Sequence, residues 1–319
     1  MPLLIVREDE QVDKPLKSPE AWLCTPIHHL GGANDEQGRE NTDYKGPEVL
    51  AKNMKVWEDF VTARDIRSQL SAETLAKLQT AFSEDQLDGL AWGYVDCGLN
   101  INERSFESSW SSVRSGINLV LKIVAERNDG EQAEYVLIGD GDIAKRKAIE
   151  YLKTDVKRKK PSYKAITPEQ FKGIGSDNID NRIPGDAKIY RKMRHSMLPP
   201  NGEEYLRDPG AGNEAMKVLK QIYNYMDQHE ARYGYIVNNE EIVFFRRQPY
   251  FWGHMSISPP IKHKVKADLD NGILNSKYVL FYFLHVIATD ENKWRLPSCF
   301  LMVPKREISS RKVKKKKHI

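Results

Sequence analysis

Pro184-Gly185-Asp186-Ala187-Lys188 limits what this chain can fold into more than any other short stretch, because a Pro-Gly turn there feeds an alternating segment that reads as a strand. Alternation puts Asp186 and Lys188 on one face and turns Ala187 and Ile189 toward a core. A carboxylate able to hold a divalent cation, beside an ammonium able to orient water or offset developing negative charge, is a minimal kit for phosphodiester hydrolysis. Asp-x-Lys also occurs on ordinary half-solvated strands, so its meaning depends on what the neighbouring segments supply.

Downstream, Asn213 follows the Gly-rich run 208–212 and is placed to cap a helix over 213–229, with Ala215, Leu219, Ile222 and Met226 at helical spacing. Gln221 shares a face with Val218 and Tyr225, at the edge of that apolar stripe. Residues 233–237 and 242–247, joined by Asn238-Asn239, predict a hairpin. Upstream, Trp110, Val113, Ile117, Val120, Leu121 and Val124 predict a long helix over 105–126, with Glu107 on the same side as Trp110. Strands are expected near 135–138 and 161–166. The basic run Lys157, Arg158, Lys159 and Lys160 abuts the second of these, where it serves either as a nucleic-acid contact drawing phosphates toward Asp186 and Lys188 or as a solvated loop.

In that order, Glu107-Ser-Ser-Trp110, the Pro-Ser-Tyr at 161–163, Pro184-Gly-Asp-Ala-Lys188, Gln221-Ile-Tyr-Asn-Tyr225 with Arg232-Tyr-Gly-Tyr-Ile-Val237, and the apolar helix at 278–288 resemble the PD-(D/E)XK nuclease-like proteins of filamentous fungi. The resemblance covers somewhat over half the chain. It implies an α/β, restriction-endonuclease-like core with a central mixed sheet flanked by helices. It also implies Mg (or Mn) as cofactor, and a catalytic set of Glu107, Asp186, Lys188 and Gln221 in which Asp186 and Glu107 hold the metal. One landmark departs from the pattern. Ser162 stands where the family has a second-strand acid, and a hydroxyl brings no charge to a hard cation. Asp155, Asp177 and Asp180 are the acids from which a substitute ligand would come. Two functions follow: a metal-dependent nuclease, or a noncatalytic nuclease-fold module that binds nucleic acid or protein.

The pattern divides the chain into a flexible arm (1–46), a helical subdomain (47–100), the nuclease-like domain (101–304) and a basic tail (305–319). Within the arm, Trp22 and His28-His29 mark a docking contact; farther on, Ser83 and Gln86 form a capping box. Cys24, Cys97 and Cys299 follow no metal-ligand spacing and read as reduced thiols of an intracellular protein. No secretion signal is evident, and the longest apolar run, 278–288, is too short to span a bilayer and carries His285, which reads as a core histidine. The tail holds eight Lys or Arg against one acid, a charge of +7, so with +4 overall the remainder carries about −3. Such a run serves as a nuclear localisation signal, as a nonspecific nucleic-acid contact or simply as a solubilising end; nuclear import is the reading favoured here, and nucleic acid the expected partner of the chain.

Overall fold

The apolar repeat that begins near Phe106 does form one long helix, and in the computed structural model it covers one face of a mixed sheet. The structure describes residues 18–27, 30, 49–91, 103–127, 131–140, 161–171, 180–188, 190, 193–207, 212–249, 251 and 253–296. The basic run 157–160, the tail 305–319, His28, His29, Cys97, Cys299, Asp155, Asp177 and Ile189 lie outside these residues.

In chain order the elements are helix α1 (Pro19–Cys24), strand β1 (Met54–Val56), helices α2 (Ala63–Gln69), α3 (Ala72–Gln79), α4 (Glu84–Ala91) and α5 (Glu103–Ala125), strands β2 (Leu137–Asp140) and β3 (Tyr163–Ile166), helix α6 (Pro168–Phe171), strand β4 (Gly185–Ala187), helices α7 (Glu203–Arg207) and α8 (Gly212–Gln228), strands β5 (Tyr233–Val237), β6 (Glu241–Arg247), β7 (Met255–Ile257) and β8 (Ile261–Lys262), and helices α9 (Ser276–Tyr282) and α10 (Glu291–Trp294). A wider π turn, Phe283–Ile287, continues α9.

The sheet runs β1-β7-β6-β5-β4-β3-β2, with β8 also paired to β6. Neighbours are antiparallel except β4/β5 and β1/β7, which are parallel. A parallel pair needs a crossover, and α8 supplies it between β4 and β5. The chain is therefore α/β, a mixed sheet with helices on both faces.

Strand alternation sorts the core into two layers. Tyr163, Ala165, Ile183, Ala187, Tyr235, Val237, Ile242 and Phe244 pack with Phe106, Trp110, Val113 and Ile117 of α5. Ile236, Val243 and Phe245, on the opposite face, pack with Leu219, Ile222 and Met226 of α8. Helices α5 and α8 thus cover opposite faces.

The N-terminal region is tied to the α5 layer. Ser18 caps α1, and Trp22 sits against α5 so closely that a Cβ on Gly116 would lie 2.2 Å from its ring. Lys277 Nζ donates to Trp22 O and Thr25 Oγ1, each at 2.5 Å, and lies 4.2 Å from the Trp22 ring centroid. Desolvation lowers this amine to about 7. The Ser83–Gln86 capping box is formed in both directions. Residues 47–100 contribute a strand that the helical reading did not anticipate: β1 pairs with β7, and Trp57, Ile66 and Leu78 join the α5-side core. Among the described residues, no helix is long and apolar enough to cross a membrane.

Candidate functional site

Asp186 sits mid-strand in β4, in register with Ile236 of β5, so its side chain faces the α8 layer. Lys188 follows two residues on, and its backbone N–H donates to Val237 O at 3.0 Å, continuing the ladder just past β4. The pair shares one face and makes a direct ion pair, Lys188 Nζ to Asp186 Oδ2, at 2.7 Å. Both residues are buried, at 3% and 4% exposure. The contact is Coulombic more than directional, since Oδ2 has no aligned hydrogen bond among the described residues. The other oxygen, Oδ1, accepts from Ser162 Oγ at 2.9 Å. Ser162 precedes β3, on the parity opposite to Tyr163, which brings its hydroxyl to the same side as Asp186.

A second polar layer lies on the other face of β4. Gly185 is flanked by Tyr163 of β3 and Tyr235 of β5, its partners on either side. Their rings stack at 6.3 Å with a 4° interplanar angle. The absent side chain makes the room: a Cβ on Gly185 would meet Tyr235 Cζ at 2.1 Å. Both phenols are buried, and their hydroxyls have no hydrogen-bond partner among the described residues. Desolvation raises Tyr163 well above the usual phenol range; Tyr235, Glu107 and Asp186 push it further up, while Arg114 opposes. Tyr235 is also raised by desolvation, with Arg114 lowering and Asp186 raising it. Each is a neutral O–H at physiological pH. Asn181 pins the neighbouring strand, accepting from Ala165 N at 2.9 Å and donating to Tyr163 O at 3.1 Å.

The other expected residues are distributed around this centre. Glu107 lies half-buried on α5, on the tyrosine side of the sheet, where its charge bears on Tyr163. Gln221 lies on α8, the Asp186–Lys188 side, and is buried; its Nε2 donates to Tyr225 Oη at 2.5 Å, while its Oε1 has no partner among the described residues. Among the described residues no hydrogen bond joins Gln221 to Asp186 or Lys188. Asp180 turns elsewhere: it lines a polar cleft of about 480 Å³ with Arg182, Trp294 and Arg295, and its charge acts on Arg295.

Neither family models, curated proteins nor solved structures match this chain. The assignment therefore rests on the donor set itself.

A magnesium ion needs several hard oxygen ligands, usually carboxylates and water in octahedral array. Asp186 has one oxygen on Lys188 and the other on Ser162, and no group of three His, Cys, Asp or Glu able to hold a metal occurs among the described residues. These residues do not fit a divalent-metal centre. The ammonium of Lys188 supplies the positive charge that a cation would bring to Asp186.

Sequence reasoning passed over Arg114, Tyr163, Tyr235 and Asn181. Tyr163 and Tyr235 both sit inside stretches that it did single out, and Arg114 follows Glu107 by seven residues, which returns it to the same side of α5 two turns on.

Proposed function

We propose that this chain is a nuclease-like protein whose candidate site binds nucleic acid without cleaving it, with Lys188 in the role a metal has in an active enzyme. The single observation that carries this reading is the closed shell on Asp186: Lys188, just past β4, on Oδ2 and Ser162, just before β3, on Oδ1. A carboxylate already neutralised by a buried ammonium gains little from a cation and would have to give up that pair to hold one. The restriction-endonuclease-like identity of the core is supported by the element order α5-β2-β3-α6-β4-α7-α8-β5, with Asp186 on the third strand of that series, Lys188 just past it and the parallel crossover through α8. Affinity for nucleic acid is supported by the basic run at 157–160 and the tail at 305–319, and nuclear accumulation by that tail.

The second reading, a metal-dependent nuclease, has one observation in its favour: Asp186 and Lys188 lie together on one face at β4, as the acid and lysine of such a site would. The two readings part in a cleavage assay. Full-length protein with Mg or Mn should bind labelled single-stranded and duplex DNA and RNA and leave each intact. Cleavage that Asp186→Ala and Lys188→Ala each abolish establishes the nuclease reading instead, and absence of binding to all four substrates rejects the nucleic-acid reading.

A further inference from the structure

Strand β8 leaves one edge open beside an apolar groove that neither reading of the candidate site uses. Strand β1 runs parallel to β7 as far as Trp57, whose N–H donates to Ile257 O at 2.8 Å, and there the chain leaves the sheet toward α2. The partner strand goes on. It bulges at 258–260, where Pro259 and Pro260 have no N–H to offer, and resumes as β8. Between the diverging chains lies a groove of about 650 Å³, with Trp57, Phe60 and Val61 on the β1 side and Leu198 and Leu274 from the flanking loops. Val56, 40% exposed, belongs to the same wall, and Ile273, 43% exposed, stands between two residues that line it. Of the lining side chains, Glu58 and Lys262 carry opposite charges and burial lowers His195 below the usual imidazole range, so no net charge draws an ion into the groove.

Register decides which way the β8 main chain points. His263 N–H donates to Glu240 O at 3.0 Å, so residue 263 turns its main-chain groups toward β6, and Lys262, one position back, turns its own away. The partner residue agrees: Glu241 O accepts from Asn238 N at 3.0 Å, within the β5–β6 hairpin and on the side away from β8. The Lys262 N–H and C=O therefore point toward the groove, and neither has a hydrogen-bond partner among the described residues. The side chain is held elsewhere, since Nζ donates to Glu241 Oε2 at 2.5 Å while Oε1 accepts from His195 N at 2.7 Å. A donor and an acceptor side by side in an apolar groove match the C=O and N–H of a peptide chain, whereas an anionic head group would leave the carbonyl unmatched.

We propose that the edge of β8 receives an extended, uncharged and apolar peptide segment of another protein, which pairs with the main chain of Lys262 and seats an apolar side chain against Trp57, Phe60 and Val61. Selection of a random twelve-residue peptide library, displayed on phage, against the full-length chain should enrich sequences with apolar residues at alternate positions. A synthetic peptide of the strongest clone should slow exchange of the Lys262 amide about tenfold or more. Lys262→Pro removes the N–H at a position where proline leaves the pairing with β6 intact, and should weaken the peptide about tenfold, the effect of losing one main-chain hydrogen bond. Lys262→Gln keeps that N–H and a donor for Glu241, so it should stay within about threefold of wild type. Val56→Arg, at an exposed position, should also weaken the peptide several-fold, while amide exchange in β5 and β6 stays near wild type in every variant. Failure to enrich any sequence on wild type over Val56→Arg overturns the proposal, as does a peptide that binds Lys262→Pro as well as wild type or leaves exchange at Lys262 unchanged. A wild-type dimer in sedimentation velocity that Val56→Arg dissociates assigns the edge to a second copy of this chain, and decanoate binding that Val56→Arg abolishes, with no peptide enriched, assigns the groove to a small apolar molecule; either result also overturns it.

Discussion

A Cβ built on Gly185 would lie 2.1 Å from Tyr235 Cζ and 2.5 Å from its hydroxyl oxygen, so the glycine is required by its neighbours' rings. Gly185→Ala should cost about 1–3 kcal/mol, the usual range for overpacking a closed core. In a Tyr235→Ala background the same change should cost far less, because the colliding ring is gone; urea denaturation of the four proteins measures this coupling. The Asp186–Lys188 pair gives a second residue-scale prediction. Lys188→Met leaves a buried carboxylate without its cation and should destabilise by about 3–5 kcal/mol, whereas Asp186→Asn with Lys188→Met, which removes both charges, should recover most of that loss. Equal losses in the single and double variants would show that the pair is not energetically coupled. That the two share a face was legible from alternation alone. The closeness of Ser162 was not, because it depends on β3 pairing with β4 across a register that no local pattern encodes.

At the scale of elements, long amphipathic segments read well because burial on one side leaves a repeat in the sequence. The observed α5 and α8 each fall within two residues of the expected helices, and the β5–β6 hairpin turns at Asn238 and Asn239 as its turn residues predict. Strand β1 was invisible for the opposite reason. Three residues cannot show a period, and Met54–Val56 are extended because Met255–Ile257 lie alongside them, some two hundred positions away in the chain. The helix expected over 278–288 is split for a related reason: Tyr278 to Leu284 are buried on every side, so no stripe marks where α9 gives way to the wider turn at Phe283. Helix α1 shows a contact that the composition only marked. Gly116→Val should force Trp22 off α5, raising amide exchange in residues 19–25 at least tenfold while exchange in β5 and β6 stays near wild type; unchanged exchange in α1 would show that the Trp22 contact does not hold that helix.

For the whole molecule, acid stability should be governed in part by two buried histidines. His263 is fully buried; its Nε2–H donates to Asn238 O and its Nδ1 accepts from Ser276 Oγ, both at 2.7 Å, and desolvation lowers it to about 4. His285, near Thr74 Oγ1 at 3.2 Å, is likewise lowered to about 4 by burial. An unfolded histidine titrates near 6.5, so between about 6.5 and 4 the unfolded chain binds protons that the folded chain does not. The stability these two groups contribute is therefore full above pH 6.5 and is lost as pH falls toward 4. Chemical denaturation across pH 4–7 should show that slope, flattened in His285→Asn. At the same scale, deleting residues 311–317 should abolish nuclear accumulation of a fluorescent fusion, and an unchanged nuclear signal would remove that role from the tail.

The central claim is that Asp186 is neutralised within the protein by Lys188, with its other oxygen held by Ser162, and holds no metal. Calorimetric titration of the full chain with Mn²⁺ tests it most directly, using wild type, Asp186→Asn and Ser162→Asp. The account predicts no heat of binding for wild type through millimolar Mn²⁺, an Asp186→Asn trace that matches it, and measurable binding only in Ser162→Asp, where a second carboxylate adds a charged oxygen ligand. Stoichiometric submillimolar binding by wild type that Asp186→Asn removes would contradict it.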